Sequence, residues 1–223
     1  MIGVFDYTVI LTYLSLLSAS IGIGISLIGS GGGCPYYGIF CLLFCGLCDA
    51  FDGKVAHTKP NRSSFEKKFG IQIDSLSDLV SFGILPACIG ISMLRTSSFL
   101  NGSLFVVKVL LCVILFFYVL AALIRLAYFN VTEEERQAKE NGVRKTYIGL
   151  PVTSASLVFP SILLLQYILP FDITLVYFLA VLCMEVAFLL KFKLKKLDTK
   201  GILFFVFLGA IEFLLLLLVK FMK

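Results

Sequence analysis

Residues Cys34–Val55 read CPYYGIFCLLFCGLCDAFDGKV. A helix that crosses a bilayer needs about 20 predominantly apolar residues, and this run has that length and carries no charge before Asp49. Six further runs of the same kind surround it, approximately Tyr7–Gly29, Ile71–Leu94, Ser103–Val131, Tyr147–Leu169, Asp172–Leu190 and Gly201–Val219. The composition agrees: 59% of the residues are hydrophobic, against about 45–50% in soluble domains. Mean hydropathy is +1.00. The connections are short, and the first run is too long and too uncharged at its flank for a cleaved leader. The sequence predicts an all-α fold, a polytopic transmembrane helical bundle of about seven spans forming a single membrane domain over residues 1–223.

Loops rich in Lys and Arg stay on the cytoplasmic side of a membrane. Nearly all such residues fall in three alternate connections. Lys54, Lys59, Arg62, Lys67 and Lys68 follow the second span, Arg136, Lys139, Arg144 and Lys145 the fourth, and Lys191, Lys193, Lys195, Lys196 and Lys200 the sixth. The N-terminus is therefore expected inside and the C-terminus outside. A net charge of +5 borne beside membrane spans points to anionic lipid headgroups rather than nucleic acid. The seven cysteines lie almost wholly within predicted spans. Cys41, Cys45 and Cys48 share a helix face without a His or fourth Cys nearby, so they read as small apolar packing rather than a soft-metal site.

Four aspartates interrupt the apolar pattern. Asp49 and Asp52 end the second span, and Asp74 and Asp78 fall in the first turns expected for the third. An Asp inside a membrane helix costs about 2.5–3.5 kcal/mol on insertion scales and by default marks function. The i, i+3 and i, i+4 spacings put each pair on one helix face. A cytoplasmic connection lets the two helices lie antiparallel, which brings the pairs together. Carboxylates that close repel one another unless a cation intervenes. An all-oxygen set favours a hard ion, Mg²⁺ or Mn²⁺, and Mg²⁺ commonly shares its shell with substrate phosphates. Gly53 and Ala56 open the helix surface beside the acids, for a ligand group or for a neighbouring helix.

The pattern Asp49-x-x-Asp52-Gly53-x-x-Ala56, followed by Gly70-x-x-x-Asp74-x-x-x-Asp78, resembles the signature of the CDP-alcohol phosphatidyltransferases. Residues 69–86, FGIQIDSLSDLVSFGILP, look most like the family members whose acceptor is L-serine, and IRLAYFN at 124–130 and YIGLP at 147–151 agree. The resemblance covers about residues 7–170, leaving 171–223 as additional C-terminal spans. It implies attack of an alcohol on the β-phosphate of CDP-diacylglycerol with release of CMP, at an active site on the cytoplasmic face. It further implies metal held by Asp49, Asp52, Asp74 and Asp78, with Asp78 also taking the proton from the serine hydroxyl. Gly53, Ala56 and Gly70 would border the nucleotide, with Thr12 as a further contact. The protein would be a homodimer in a membrane, expected to be that of a prokaryotic cell.

This chain departs from the family pattern in two places. His57 stands where the family has Arg after the alanine, and the segment Thr58–Phe69 is longer than usual. Arg62, within that segment, is the candidate replacement cation. Arg125, inside the fourth span, needs an anionic partner to offset its cost there. Serine's carboxylate or a substrate phosphate would serve, with Arg144 and Lys145 as further candidates and Asn130 orienting the substrate. A phosphorylated acceptor such as glycerol 3-phosphate or an inositol phosphate is the nearest alternative. A cation transporter is the alternative of another class, disfavoured because the acids gather at one membrane face with no acidic step beyond.

Overall fold

The computed structural model describes residues 3–29, 34–100, 102–139, 146–166, 169, 171–195 and 199–221. Among them are seven helical rods at the places of the seven apolar runs. They are α1 (Ile10–Ile28), α2 (Cys34–His57), the continuous rod α3 (Ser64–Asp78), π-turn (Leu79–Ile84) and α4 (Leu85–Thr96), then α5 (Phe105–Lys139), α6 (Ala155–Leu165), α7 (Thr174–Leu189) and α8 (Thr199–Phe221). Four are long and apolar enough to cross a membrane on length and composition alone: Ile10–Ile28, Ser64–Thr96, Phe105–Arg136 and Lys200–Leu218. The protein is an all-α polytopic bundle.

Helices α1 and α2 pack along small residues. The buried stripe of α1 is Thr12, Ser15, Ala19, Gly22 and Ser26. A Cβ on Gly22 would stand 2.8 Å from that of Cys41, so the glycine is what lets the backbones approach. Gly38 of α2 receives Ile89 and Ser26 in the same way. Behind this pair an aromatic cluster joins α5, α6 and α7, with Phe159 4.8 Å from Tyr177 and 5.8 Å from Tyr118 between ring centroids. The outward faces of α5 and α8 carry exposed Leu, Val and Phe, as lipid contact demands.

Two elements differ from the sequence expectation. Helix α3 begins at Ser64 rather than near Ile71, because Ser63 and Glu66 form a capping box: Glu66 N–H donates to Ser63 Oγ at 3.1 Å and Ser63 N–H to Glu66 Oε2 at 2.8 Å. Asp74 and Asp78 thus sit in the last turns of α3 rather than in its first. The fifth run does not begin as a helix at Tyr147. Gly149 takes φ +77° and Pro151 cannot donate, so residues Thr146–Ile148 instead pair antiparallel with Lys193–Lys195, and the helix α6 starts only at Ala155. That ribbon joins the connection after α5 to the connection after α7, the two that the basic residues place on one side of the membrane.

A salt-bridged strap closes the same end. Lys59 Nζ contacts Asp6 Oδ2 at 2.6 Å and Glu66 Oε1 at 2.7 Å, tying the N-terminal segment to the start of α3. Hydrogen bonds from Lys59 and Thr8 hold the Asp6 carboxyl at about 2, below the ordinary 3.8.

Candidate active site and metal centre

The acids converge as their spacing requires. The end of α2 and the last turns of α3 both pack on α1, and one carboxylate oxygen from each of Asp49, Asp74 and Asp78 lies within 4.8 Å of the other two. Oxygens bound to one Mg²⁺, each about 2.0–2.1 Å from it, stand at most about 4.2 Å apart, so a group within 4.8 Å needs only a small side-chain adjustment to hold a divalent cation, and its oxygens have the hardness such an ion takes. Asp52 flanks Asp49 and Asp74 rather than completing the tight group, and its Oδ1 accepts the Gly53 N–H. All four acids are partly buried.

The wall around the cluster is made of hydroxyls and small residues. Thr12 of α1 is buried, its hydroxyl 3.5 Å from Asp52 Oδ2, and its carbonyl accepts the Ser77 hydroxyl at 3.2 Å. Ser15 and Ser81 meet at 3.2 Å one turn deeper. These serines tie α1 to the acid-bearing rod, a role the sequence reading assigned to none of them. Ser77 and Ser81 stand three residues after Asp74 and Asp78, and that i, i+3 spacing was the available signal.

Gly53 meets nothing within 4 Å of where a Cβ would stand, and it is exposed. It faces open space beside Asp52 rather than another helix. Gly70 is different: a Cβ there would lie 2.8 Å from Arg62 Nη2, so the glycine makes room for the guanidinium. Arg62 Nη2 also donates to the Glu66 carbonyl at 3.2 Å, while its buried Nε has no hydrogen-bond partner. Since Gly70 and Asp74 are i, i+4, Arg62 rests on the acid face of α3, one turn before the cluster. His57 is exposed at the end of α2, and Ala56 beside it is partly buried.

Arg125 is 6% exposed. Its Nε donates to the Leu150 carbonyl at 3.1 Å, and its guanidinium lies 5.8 Å from the Phe129 ring, so it supports the turn at Gly149–Pro151. Asn130 is brought to α3: its Nδ2 donates to Ser75 Oγ at 2.8 Å, immediately beside Asp74. Arg144 and Lys145 lie outside the described residues. Glu212 is tied to Ser161 between α8 and α6, well away in sequence from these groups.

Three of the four expected acids gather in one group, and comparison with known proteins speaks to the family. The profile of the family described as CDP-alcohol phosphatidyltransferase matches residues 7–191. Over 109 residues the chain is 39% identical to a CDP-diacylglycerol–serine O-phosphatidyltransferase of Saccharomyces cerevisiae, a stretch amounting to 48% of this chain and 34% of that relative. The chain thus spans about a third of the length of the curated relative it matches. With a profile match over most of its length, and with the signature acids gathered at one site, the chain belongs to the CDP-alcohol phosphatidyltransferase family.

Proposed function

We propose that the protein transfers the phosphatidyl group of CDP-diacylglycerol to L-serine, giving phosphatidylserine and CMP. The observation that carries the chemistry is the convergence of Asp49, Asp74 and Asp78 from two helices of an otherwise apolar bundle. Support for serine comes from the relative named as a serine O-phosphatidyltransferase.

Asp49, Asp52, Asp74 and Asp78 would hold the metal. A bound divalent ion supplies positive charge against the charge that develops on the phosphoryl oxygens. Asp78 receives the proton of the acceptor hydroxyl, whose oxygen forms a bond to the β-phosphorus while the bond from that phosphorus to the CMP oxygen breaks. The leaving CMP carries away the electron pair. A carboxylate is a weak base for an alcohol, so the proton moves as the new O–P bond forms rather than before it.

Gly53 leaves space beside Asp52 for the nucleotide, with Thr12 and Ala56 bordering it. Arg62, resting on Gly70, offers its guanidinium to the diphosphate in place of the Arg that His57 replaces. Asn130 orients the acceptor end of the site from α5, and Arg144 and Lys145 supply further positive charge. The cluster faces the cytoplasm, on the side of the basic connections, and the active form is a homodimer, as the family resemblance implies.

The substrate assignment is tested by supplying CDP-diacylglycerol and Mn²⁺ with L-serine, glycerol 3-phosphate or an inositol phosphate separately, and resolving the lipid product. Phosphatidylserine is expected. A product formed only with a phosphorylated alcohol would remove the serine assignment and leave the family chemistry standing.

A further inference from the structure

Asp78 is the last residue of α3, and the helix does not continue from it as an α-helix. Residues Leu79–Ile84 form a π-turn, in which the Leu85 N–H reaches back to the Val80 carbonyl. A π-turn takes in one residue more than an α-turn, so the faces before and after it are offset by about 100°, the rotation of one residue. This offset lets one rod turn its polar face, with Asp74, Ser77 and Asp78, towards α1 and α2, while the almost wholly buried α4 packs into the bundle.

At the turn one carbonyl lacks its α-helical partner. In an α-helix the Phe82 carbonyl would accept the N–H of residue 86, which is Pro86 and has none. Tyr118 of α5 supplies a donor there: its hydroxyl, on a fully buried ring, donates to the Phe82 carbonyl at 2.7 Å. Asn130 meets Ser75 farther along α5. The two contacts of α5 therefore bracket Asp78 along the rod.

We propose that Tyr118 is a positioning residue for the transfer, whose hydroxyl holds the π-turn in the register that aims Asp78 at Asp49 and Asp74. It touches neither substrate nor metal. The proposal rests on the reading of the acids as metal ligands. Removing a group hydrogen-bonded to a metal ligand costs about 10–100-fold in metal affinity, and Tyr118, acting through the backbone of the turn, is expected at the low end of that range.

Tyr177 is a matched control. Its hydroxyl donates to the Pro86 carbonyl, also at 2.7 Å and on a fully buried ring, but on the far side of the turn from Asp78. The experiment titrates the purified full chain with Mn²⁺ and reads free Mn²⁺ by its electron paramagnetic resonance signal, with melting temperature recorded beside it. Tyr118→Phe is expected to weaken Mn²⁺ binding about tenfold or more. Tyr177→Phe is expected to lower the melting temperature comparably and to leave Mn²⁺ binding within about twofold, as a merely structural bond would.

Equal effects of the two variants on Mn²⁺ binding, or none from Tyr118→Phe, overturn the proposal. A wild-type chain that binds no Mn²⁺ would remove the metal reading itself, and the proposal with it. If Tyr118→Phe does not fold, Gly83→Ala crowds the packing of the same turn against α5, beside the Tyr118 contact. Its methyl would stand 3.2 Å from Leu79 Cδ1 and 3.4 Å from Ala122 Cβ, against α5. Folded Gly83→Ala with wild-type Mn²⁺ affinity counts against Tyr118.

Discussion

At the residue scale the four aspartates divide by position. Asp49, Asp74 and Asp78 form the tight group, and Asp52 stands at its edge, against Thr12 and Gly53. Asp78→Asn keeps the shape of the side chain but removes the proposed base, so turnover is expected to fall about 10²–10⁴-fold, the range of general-base catalysis. Affinity for a CDP-diacylglycerol analogue, measured by equilibrium binding, should stay within a few-fold. Equal loss of binding would make Asp78 chiefly a ligand. Arg62 makes a second residue-scale prediction. Gly70→Ala puts a methyl 2.8 Å from Arg62 Nη2 and must displace the guanidinium, so it should raise KM for CDP-diacylglycerol about as much as Arg62→Ala does. If Arg62→Ala leaves KM and kcat unchanged, Arg62 does not meet the diphosphate.

At the element scale, α3 shows what the sequence discloses and what it hides. The acids were legible because charge inside an apolar run has a large cost and the i, i+4 spacing fixes a shared face. The start at Ser64 was legible in principle, since Ser63-x-x-Glu66 is a capping-box pattern, but the neighbouring Lys67 and Lys68 read as loop. The π-turn was not legible. Pro86 marks a missing donor, but the place where the chain takes up the extra residue shows only in the bond from the Leu85 N–H to the Val80 carbonyl.

The same holds for α6, whose late start depends on pairing between Thr146–Ile148 and Lys193–Lys195, residues far apart in sequence. The strap on α3 gives a prediction in pH. The Asp6 carboxyl is lowered in the folded protein from 3.8 to about 2, so its contribution to stability is full above about pH 4 and lost as pH falls towards 2. Asp6→Asn should lower the melting temperature at neutral pH and flatten its fall between about pH 4 and 2. An unchanged profile would leave the Asp6–Lys59 contact without a role in stability.

At the scale of the whole molecule, the acid cluster, the strap and the ribbon gather at one end of the bundle. That end carries the basic connections, and the positive-inside rule predicts that it faces the cytoplasm. Single cysteines introduced at Thr58 and Lys193 should therefore react with an impermeant maleimide only after the membrane is opened, and one at Gly102 before. Labelling of Thr58 and Lys193 from opposite sides would contradict the shared face.

The central claim is that the aspartate cluster makes the chain a metal-dependent phosphatidyl transferase. It is tested most directly by incubating the purified chain with CDP-diacylglycerol and L-serine, with Mn²⁺ or with chelator, and measuring CMP. The account predicts CMP release with Mn²⁺ that chelator abolishes and that Asp49→Asn and Asp74→Asn each lose. No CMP with any metal, or release that persists in chelator, would contradict it.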